Sequence, residues 1–299
     1  MIAASQEPAT PPESRLIMPV QSFRRWKDED RRKPAAPRAW KTPWLKRLFV
    51  FGGGLALTGY GAWEMYNVVS VSRTTSLQYV LLVLFTINFS WISLAFTSAV
   101  LGFLGLIFAR SRTAYVDTLQ HRTVVVMPIY NESTARTFAA LAAIRESVEA
   151  TGLGRHFDYF IVSDTTNPDV WVAEERAFLA LRERLGPDAR VYYRHRPKNH
   201  HRKAGNIADF VTRWGGHYEH MVVLDADSLM TGTCIVRLAA AMEADPDAGI
   251  IQSLPLIINR NTFFARLQQF AARVYGPVIA TGLAMWSGRD GNYWGHNAI

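Results

Sequence analysis

Asp225 and Asp227 stand two residues apart, directly after the apolar run His220–Leu224 (HMVVL). Two carboxylates so spaced can act together on a hard divalent cation such as Mg²⁺ or Mn²⁺, which takes further oxygens from a phosphate-bearing ligand. Such a cation neutralises charge growing on a leaving diphosphate, the Lewis-acid role. Taken alone a D-x-D pair is a weak signal, because Asp is common in turns. Two other polar clusters also follow apolar runs, Pro128-Ile129-Tyr130-Asn131-Glu132 and Ser163-Asp164, and a third, His201-Arg202-Lys203-Ala204-Gly205-Asn206, comes after the short run Arg190–His195. Asp164 can accept a hydrogen bond from the N–H of a uracil ring, and Tyr130 can pack against a base. Ser163-Asp164-Thr165 reads equally as the turn that opens a helix. Lys203 can hold phosphate as a point charge, and Gly205-Asn206 opens a helix whose N-terminus favours anions. The same stretch also reads as a solvated basic loop, because Arg194, Arg196, Lys198 and Arg202 crowd it. There is no G-x-x-x-x-G-K-[ST] and no G-x-G-x-x-G after a strand, so ATPase and dinucleotide-binding readings lack support.

The elements that must position these groups alternate. Thr123–Tyr130 (TVVVMPIY) is a continuous apolar strand, suited to a sheet buried on both faces. Residues 133 to 151 read as a helix, with Asn131 or Ser133 available as N-cap and Gly152 as a stop. Phe157–Ser163 is a second strand and Asp169–Leu185 a second helix. Arg190–His195 is a third strand, 204–214 a helix, and His220–Leu224 a fourth strand. A helix over 233–243 leads to a strand at Gly249–Leu254, then a helix over 262–274, and Asn292–Ile299 begins a further strand. Such alternation predicts a parallel α/β sheet with helices on both faces, whose ligands sit at the carboxyl ends of the strands.

The first 110 residues are of another kind. Residues 1–47 hold eleven Lys or Arg against five Asp or Glu, together with Pro8, Pro11, Pro12, Pro34 and Pro37. They read as a disordered basic cytoplasmic tail. Leu48–Val69 and Leu77–Ala109 are apolar and long enough to cross a bilayer, which predicts two transmembrane helices over 48–109. Basic residues lie at the outer ends of the pair, with Arg110 and Arg112 following the second run. The hairpin is therefore expected to keep both ends in the cytoplasm, with lipid rather than nucleic acid as the partner of the basic tail. Secretory leaders place their apolar core closer to the N-terminus than Leu48, so none is expected. Cys234 is the only cysteine, which excludes an intrachain disulfide and a cysteine-based metal site. His200, His201, His217 and His220 read as loop or edge residues rather than ligands. The chain stops in the apolar run Ala298-Ile299, which predicts the front part of something longer.

The order strand-P-x-Y-N-E, strand-D, K-A-G-N, D-x-D is complete over residues 123–228, and it resembles the family 2 glycosyltransferases of the GT-A fold. The hairpin ahead of it is similar to the cellulose-synthase-like branch. VVLDADSLMTG, AGIIQSLP, ARVYGPV and YWGHNAI, with the looser Met18–Ser22, resemble a bacterial subgroup that builds osmoregulated periplasmic glucans. The resemblance implies a GT-A-type (Rossmann-like) nucleotide-sugar-binding domain over 121–299 and a bacterial inner-membrane location. It implies UDP-glucose as donor, a growing glucan as acceptor, and a divalent cation. Carried over, Pro128, Tyr130, Asn131, Glu132, Asp164, Lys203, Asn206 and Asp225 would bind the donor, and Asp225 and Asp227 the metal. Gln252, Trp294, His296 and Asn297 would lie on the sugar and acceptor side. The family's base Asp and its Q-x-x-R-W motif do not occur before Ile299, and Asp290, in a turn-like Gly288-Arg289-Asp290-Gly291, is a poor substitute. What is expected is the donor half of an inverting glucosyltransferase. Two alternatives stay open: a processive cellulose, chitin or hyaluronan synthase, and an inert UDP-sugar-binding membrane module.

Overall fold

The computed structural model describes residues 10–17, 43–71, 74–108, 116–288, 291 and 297–299. From the N-terminus the helices are α1 (Trp44–Arg47), a π-helical stretch Leu48–Gly52, α2 (Gly53–Val69) and α3 (Ser76–Phe108). The alternating part runs β1 (Thr123–Ile129), α4 (Thr134–Glu149), β2 (Phe157–Ser163), α5 (Pro168–Leu185), β3 (Val191–His195) and α6 (Arg202–Trp214). It continues through β4 (His220–Val223) and α7 (Gly232–Ala244) to α8 (Phe263–Val274) and α9 (Gly276–Ser287). Two compact units result, one drawn from Met1–Asp30, Ala114–Ser253 and Tyr293–Ile299, the other from Arg31–Thr113 and Leu254–Asn292.

The first unit is the predicted α/β layer. All four strands are parallel, in the order β3-β2-β1-β4. Every residue of β1 and of β2 is buried, because side chains alternate between two covered faces. Val124, Val126, Phe160 and Val162 meet Phe210 and Trp214 of α6 on one face. Val125, Met127, Ile129, Tyr159 and Ile161 meet the apolar sides of α4, α5 and α7 on the other. The chain steps from β1 to β2 to β3 in one direction, then returns past β1 to reach β4. With right-handed crossovers throughout, that reversal puts α6 on the face opposite α4 and α5.

Three details differ from the sequence reading. Residues 10–17 are packed rather than free: Leu16 N–H donates to Thr212 O, Gly216 N–H to Ser14 O, and the Trp214 indole N–H to Pro11 O. Their Pro-rich composition hid a backbone donor for the Thr212 carbonyl and backbone acceptors for Trp214 and Gly216 at the C-terminal end of α6. Gly249–Leu254 does not form a full strand; only Gln252 makes an antiparallel bridge, to Ala298, which also bridges Val223 at the end of β4. The helix α9, which contains Pro277, was not anticipated. Pro277 stands in the first turn of α9, where no intrahelical N–H is needed.

In the second unit, Gly53 and Gly54 of α2 face Thr97 and Leu94 of α3, and Gly61 faces Phe89, so the two helices run antiparallel. Thr97 Oγ1 donates to Val50 O across the π-helical stretch (2.9 Å). At Gly102 a Cβ would collide with Val278 O, so only glycine lets α9 approach α3 this closely. Among the described residues one helix, α3, is long and apolar enough to cross a membrane, and 17% of its most apolar window is buried. The π-helical stretch splits the first apolar run and leaves α2 at 17 residues, so the two-span hairpin stays an expectation.

Candidate functional site

Because the strands are parallel, all four deliver their C-terminal polar residues to one edge of the sheet. The direction of winding reverses between β1 and β4, which opens a crevice at their carboxyl ends. A cleft of about 1260 Å³ lies there, lined by Pro128–Tyr130 and Glu132 after β1, Asp164 after β2, Asn199–Ala204 and Asn206 after β3, and Asp225–Asp227 after β4. Four motifs far apart in sequence thus share one cavity.

Lys203 and Asp225 form an ion pair across this cleft, the ammonium 46% and the carboxylate 30% exposed. The Asp225 carboxylate therefore already holds a cationic group where the sequence reading expects a metal. The fit to a divalent ion is chemically sound. Two carboxylates supply the protein's share, and a cation of the Mg²⁺ kind keeps its other positions for phosphate oxygens and water. No cluster of three metal-ligating side chains occurs among the described residues.

Asp164 is buried and spends both oxygens on Arg196, Nε to Oδ1 at 2.8 Å and an NH2 nitrogen to Oδ2 at 2.6 Å. The same guanidinium donates to His200 O and Arg202 O, so Asp164 fixes the loop that leads into Lys203 in the first turn of α6. His201 and Arg202 in that loop adopt left-handed backbone, φ 59° and 51°. Such a conformation costs a non-glycine residue about 1–2 kcal/mol. Gly205 makes the fold-back possible, since a Cβ there would collide with His200 O. Behind the loop, Arg194 is buried and donates to Asn206 Oδ1 (2.8 Å), and Asn206 Nδ2 donates to Val162 O (2.9 Å). Burial pulls the Arg194 guanidinium below its ordinary value, against Asp209 and Asp164. Asn206 therefore ties α6 to the sheet, with its side chain engaged on the protein side.

Sequence reasoning missed Glu174. It is fully buried in α5 and accepts from Ser163 Oγ (2.7 Å), Thr165 Oγ1 (2.6 Å) and Tyr193 OH (3.0 Å). Ser163 and Thr165 flank Asp164, so this one carboxylate holds both sides of the β2 terminus. Burial, with the Glu174 charge beside it, pushes the Tyr193 phenol well above its usual range. A Glu in a charged helix reads as solvent-facing, and nothing local in the sequence marks it otherwise. Thr165 Oγ1 also accepts from Asn131 N–H (3.0 Å). Asn131, at φ 53°, turns its side chain onto Thr166 and Asn167 and lies outside the cleft lining. Tyr130 beside it is 51% exposed at the cleft wall.

On the sugar side, Gln252 pairs with the backbone of Ala298 and is not among the cleft-lining residues. Asn297 Nδ2 donates to Ser228 Oγ (3.1 Å), next to Asp227. Trp294 and His296 lie outside the described residues.

A family model, glycosyl transferase family 2, matches residues 124–299. The glucans biosynthesis glucosyltransferase H of Shewanella sp. (strain W3-18-1) is 52% identical over 255 residues, covering 85% of this chain and 35% of that protein. The protein of the same name from Rhodopseudomonas palustris (strain BisA53) is 48% identical over 297 residues, covering 97% of this chain and 41% of that one. The chain thus spans less than half the length of these relatives. A mannosyltransferase from Pyrobaculum calidifontis, solved with GDP-Man and Mn²⁺, matches at TM-score 0.39 and 17% identity over 62% of this chain and 46% of that one. A likeness at that level carries no argument.

Proposed function

The chain belongs to glycosyl transferase family 2, and from that premise we propose that it is the donor-binding front part of a membrane-bound, inverting glucosyltransferase. In this reading UDP-glucose supplies the sugar and the product is the β-linked backbone of an osmoregulated glucan. One observation carries it: Tyr130, Asp164, Lys203 and the Asp225/Asp227 pair line a single cleft at the strand carboxyl ends. High identity to relatives named as glucan glucosyltransferases supports the choice of glucose.

The roles follow from the chemistry of each group. Asp164 keeps lone pairs beyond its two bonds to Arg196 and can accept the uracil N–H. The exposed Tyr130 ring offers a stacking face to the base. Lys203 leaves Asp225 for the diphosphate, and its ammonium then offsets negative charge on the leaving group. A divalent cation held by Asp225 and Asp227 would supply Lewis-acid assistance to the same departure. Deprotonation of the acceptor hydroxyl falls to a base that the family resemblance puts beyond Ile299.

Titrating UDP-glucose, UDP-N-acetylglucosamine and GDP-mannose into the detergent-solubilised chain with Mn²⁺ tests the donor class. UDP-glucose should bind, and GDP-mannose should not. Equal binding of the guanine nucleotide would remove Asp164 and Tyr130 as base readers. The membrane part of the proposal puts residues 20 and 150 both on the cytoplasmic side, because positive charge flanks the outer ends of the apolar pair. Reporter fusions at those two positions should agree; opposite locations would mean that one apolar run does not span.

A further inference from the structure

The turn that carries Asp225 and Asp227 has two ends, and different parts of the chain hold them. Ser228 N–H donates to Asp225 O (3.0 Å), which closes a four-residue turn with Ala226 and Asp227 at its centre. The sheet fixes the near end, where Leu224 N–H donates to Val126 O of β1 (2.9 Å). At the far end Asn297, seventy residues on in the sequence, donates from Nδ2 to Ser228 Oγ (3.1 Å). The backbone beyond Asn297 is itself anchored. Val223 N–H donates to Ala298 O (2.9 Å), and Ile299 exchanges two backbone bonds with Ile251, both 2.9 Å. Ala298 and Ile299 are buried. Asn297 has left-handed backbone, φ 55°, which asparagine adopts more readily than most side chains. Its Oδ1 is buried with no hydrogen-bond partner among the described residues. The backbone conformation and the orphaned oxygen both work against stability, so packing alone does not explain this placement. What the amide does at Ser228 explains it.

We propose that Asn297 and Ser228 are positioning residues for the Asp225/Asp227 pair. Carboxylates at the first and third positions of one turn can share a cation only while that turn keeps its shape. The Asn297–Ser228 bond clamps the turn at the end that the sheet does not hold, and neither side chain needs to touch a ligand. Asn297 thereby serves the metal-holding turn rather than the sugar and acceptor side. The inference rests on the donor-site reading and its divalent cation.

Calorimetric titration of UDP into the whole chain, once with Mn²⁺ and once with EDTA, tests it. UDP carries no sugar, so a lost sugar contact cannot imitate the effect. Asn297→Gly removes the amide and still allows the positive φ, and Ser228→Ala removes the acceptor. Each should weaken UDP binding in Mn²⁺ about five- to tenfold and leave binding in EDTA unchanged. The double variant should fall no further than either single one, because all three lose the same bond. Ser228→Thr keeps a hydroxyl and should stay near the wild type. Without any ligand, amide exchange at residues 226–228 should quicken in both single variants. Unchanged binding in Mn²⁺, or losses that add in the double variant, would overturn the proposal. An equal loss in EDTA would overturn it too, by making Asn297 a support of the whole cleft. If Asn297→Gly does not fold, Ser228→Ala and Ser228→Thr decide by the same criteria. A wild type that binds UDP no better in Mn²⁺ than in EDTA would show that the metal reading of Asp225 and Asp227 has failed, and this inference with it.

Discussion

The two edges of the central sheet are both rich in charge, and they dispose of it in opposite ways. At the amino edge, Asp158 is only 2% exposed and closes on Arg122 (2.5 Å), the Tyr218 hydroxyl (2.9 Å) and, at 3.4 Å, Arg190. At the carboxyl edge, Lys203 and Asp225 meet in an open cleft, both partly exposed. A closed cluster holds strands together; an open pair keeps its charges available to a ligand. Burial separates Asp158 from Asp225, whereas Asp164, buried against Arg196 at the carboxyl edge, still lines the cleft.

Variants at the two edges should therefore fail differently. Asp158→Ala should cost about 3 kcal/mol of stability, the low end for a broken buried pair, because water can reach Arg122 and Arg190. UDP affinity of the remaining folded protein should be unchanged; a parallel loss would mean that the amino edge also shapes the cleft. Glu174→Gln stands between the two edges in kind. It leaves at least one of three hydroxyl donors without its acceptor, at about 1–3 kcal/mol, and should weaken UDP binding as Asp164 loosens. Loss of stability with UDP affinity intact would make Glu174 a packing residue only.

Gly205→Ala should act almost wholly on the cleft. The overlap with His200 O costs about 1–3 kcal/mol of loop geometry, read as roughly ten- to hundredfold weaker UDP binding with an unchanged melting curve. A lowered Tm with normal binding would reverse that assignment. The smallest effect belongs to the amino edge. Burial, and then the neighbouring His121, hold the His220 imidazole below its ordinary value, against Glu243 and Glu219. The folded chain thus binds fewer protons than the unfolded one as pH falls through about 6.5, so stability present above that pH is lost below it. Tm should fall between about pH 7 and pH 5, and His220→Asn should flatten part of that slope. An identical slope in the variant would shift the effect to His156, which burial also lowers.

The same contrast explains what was legible in the sequence. β1, β2 and β4 are apolar runs with abrupt polar ends, so Tyr130, Asp164 and the D-x-D pair, with Lys203 between them in order, could be seen before any fold was known. Side chains that act inward could not. Glu174 lies among Glu175, Arg176 and Arg182 and looks like one more surface charge. Arg196 looked like part of a basic crowd, yet it is the residue that Asp164 holds. Asn131 and Asn206 carry motif positions, but their side chains are engaged by the protein, and only Asn206 also lines the cleft. The docking of residues 10–17 on α6 uses backbone N–H and C=O groups, which composition does not reveal.

The most direct measurement is calorimetric titration of UDP with Mn²⁺ into the chain and its Asp227→Ala variant, with circular dichroism recorded on both. Removing one carboxylate of the pair should cost several kcal/mol of metal-dependent binding. The heat of binding should vanish in the variant while the α/β spectrum persists, because Asp227 lies in the open cleft and outside the core. Equal heats from the two proteins, with both folded, would mean that the cleft at the strand carboxyl ends is not where a nucleotide diphosphate is held.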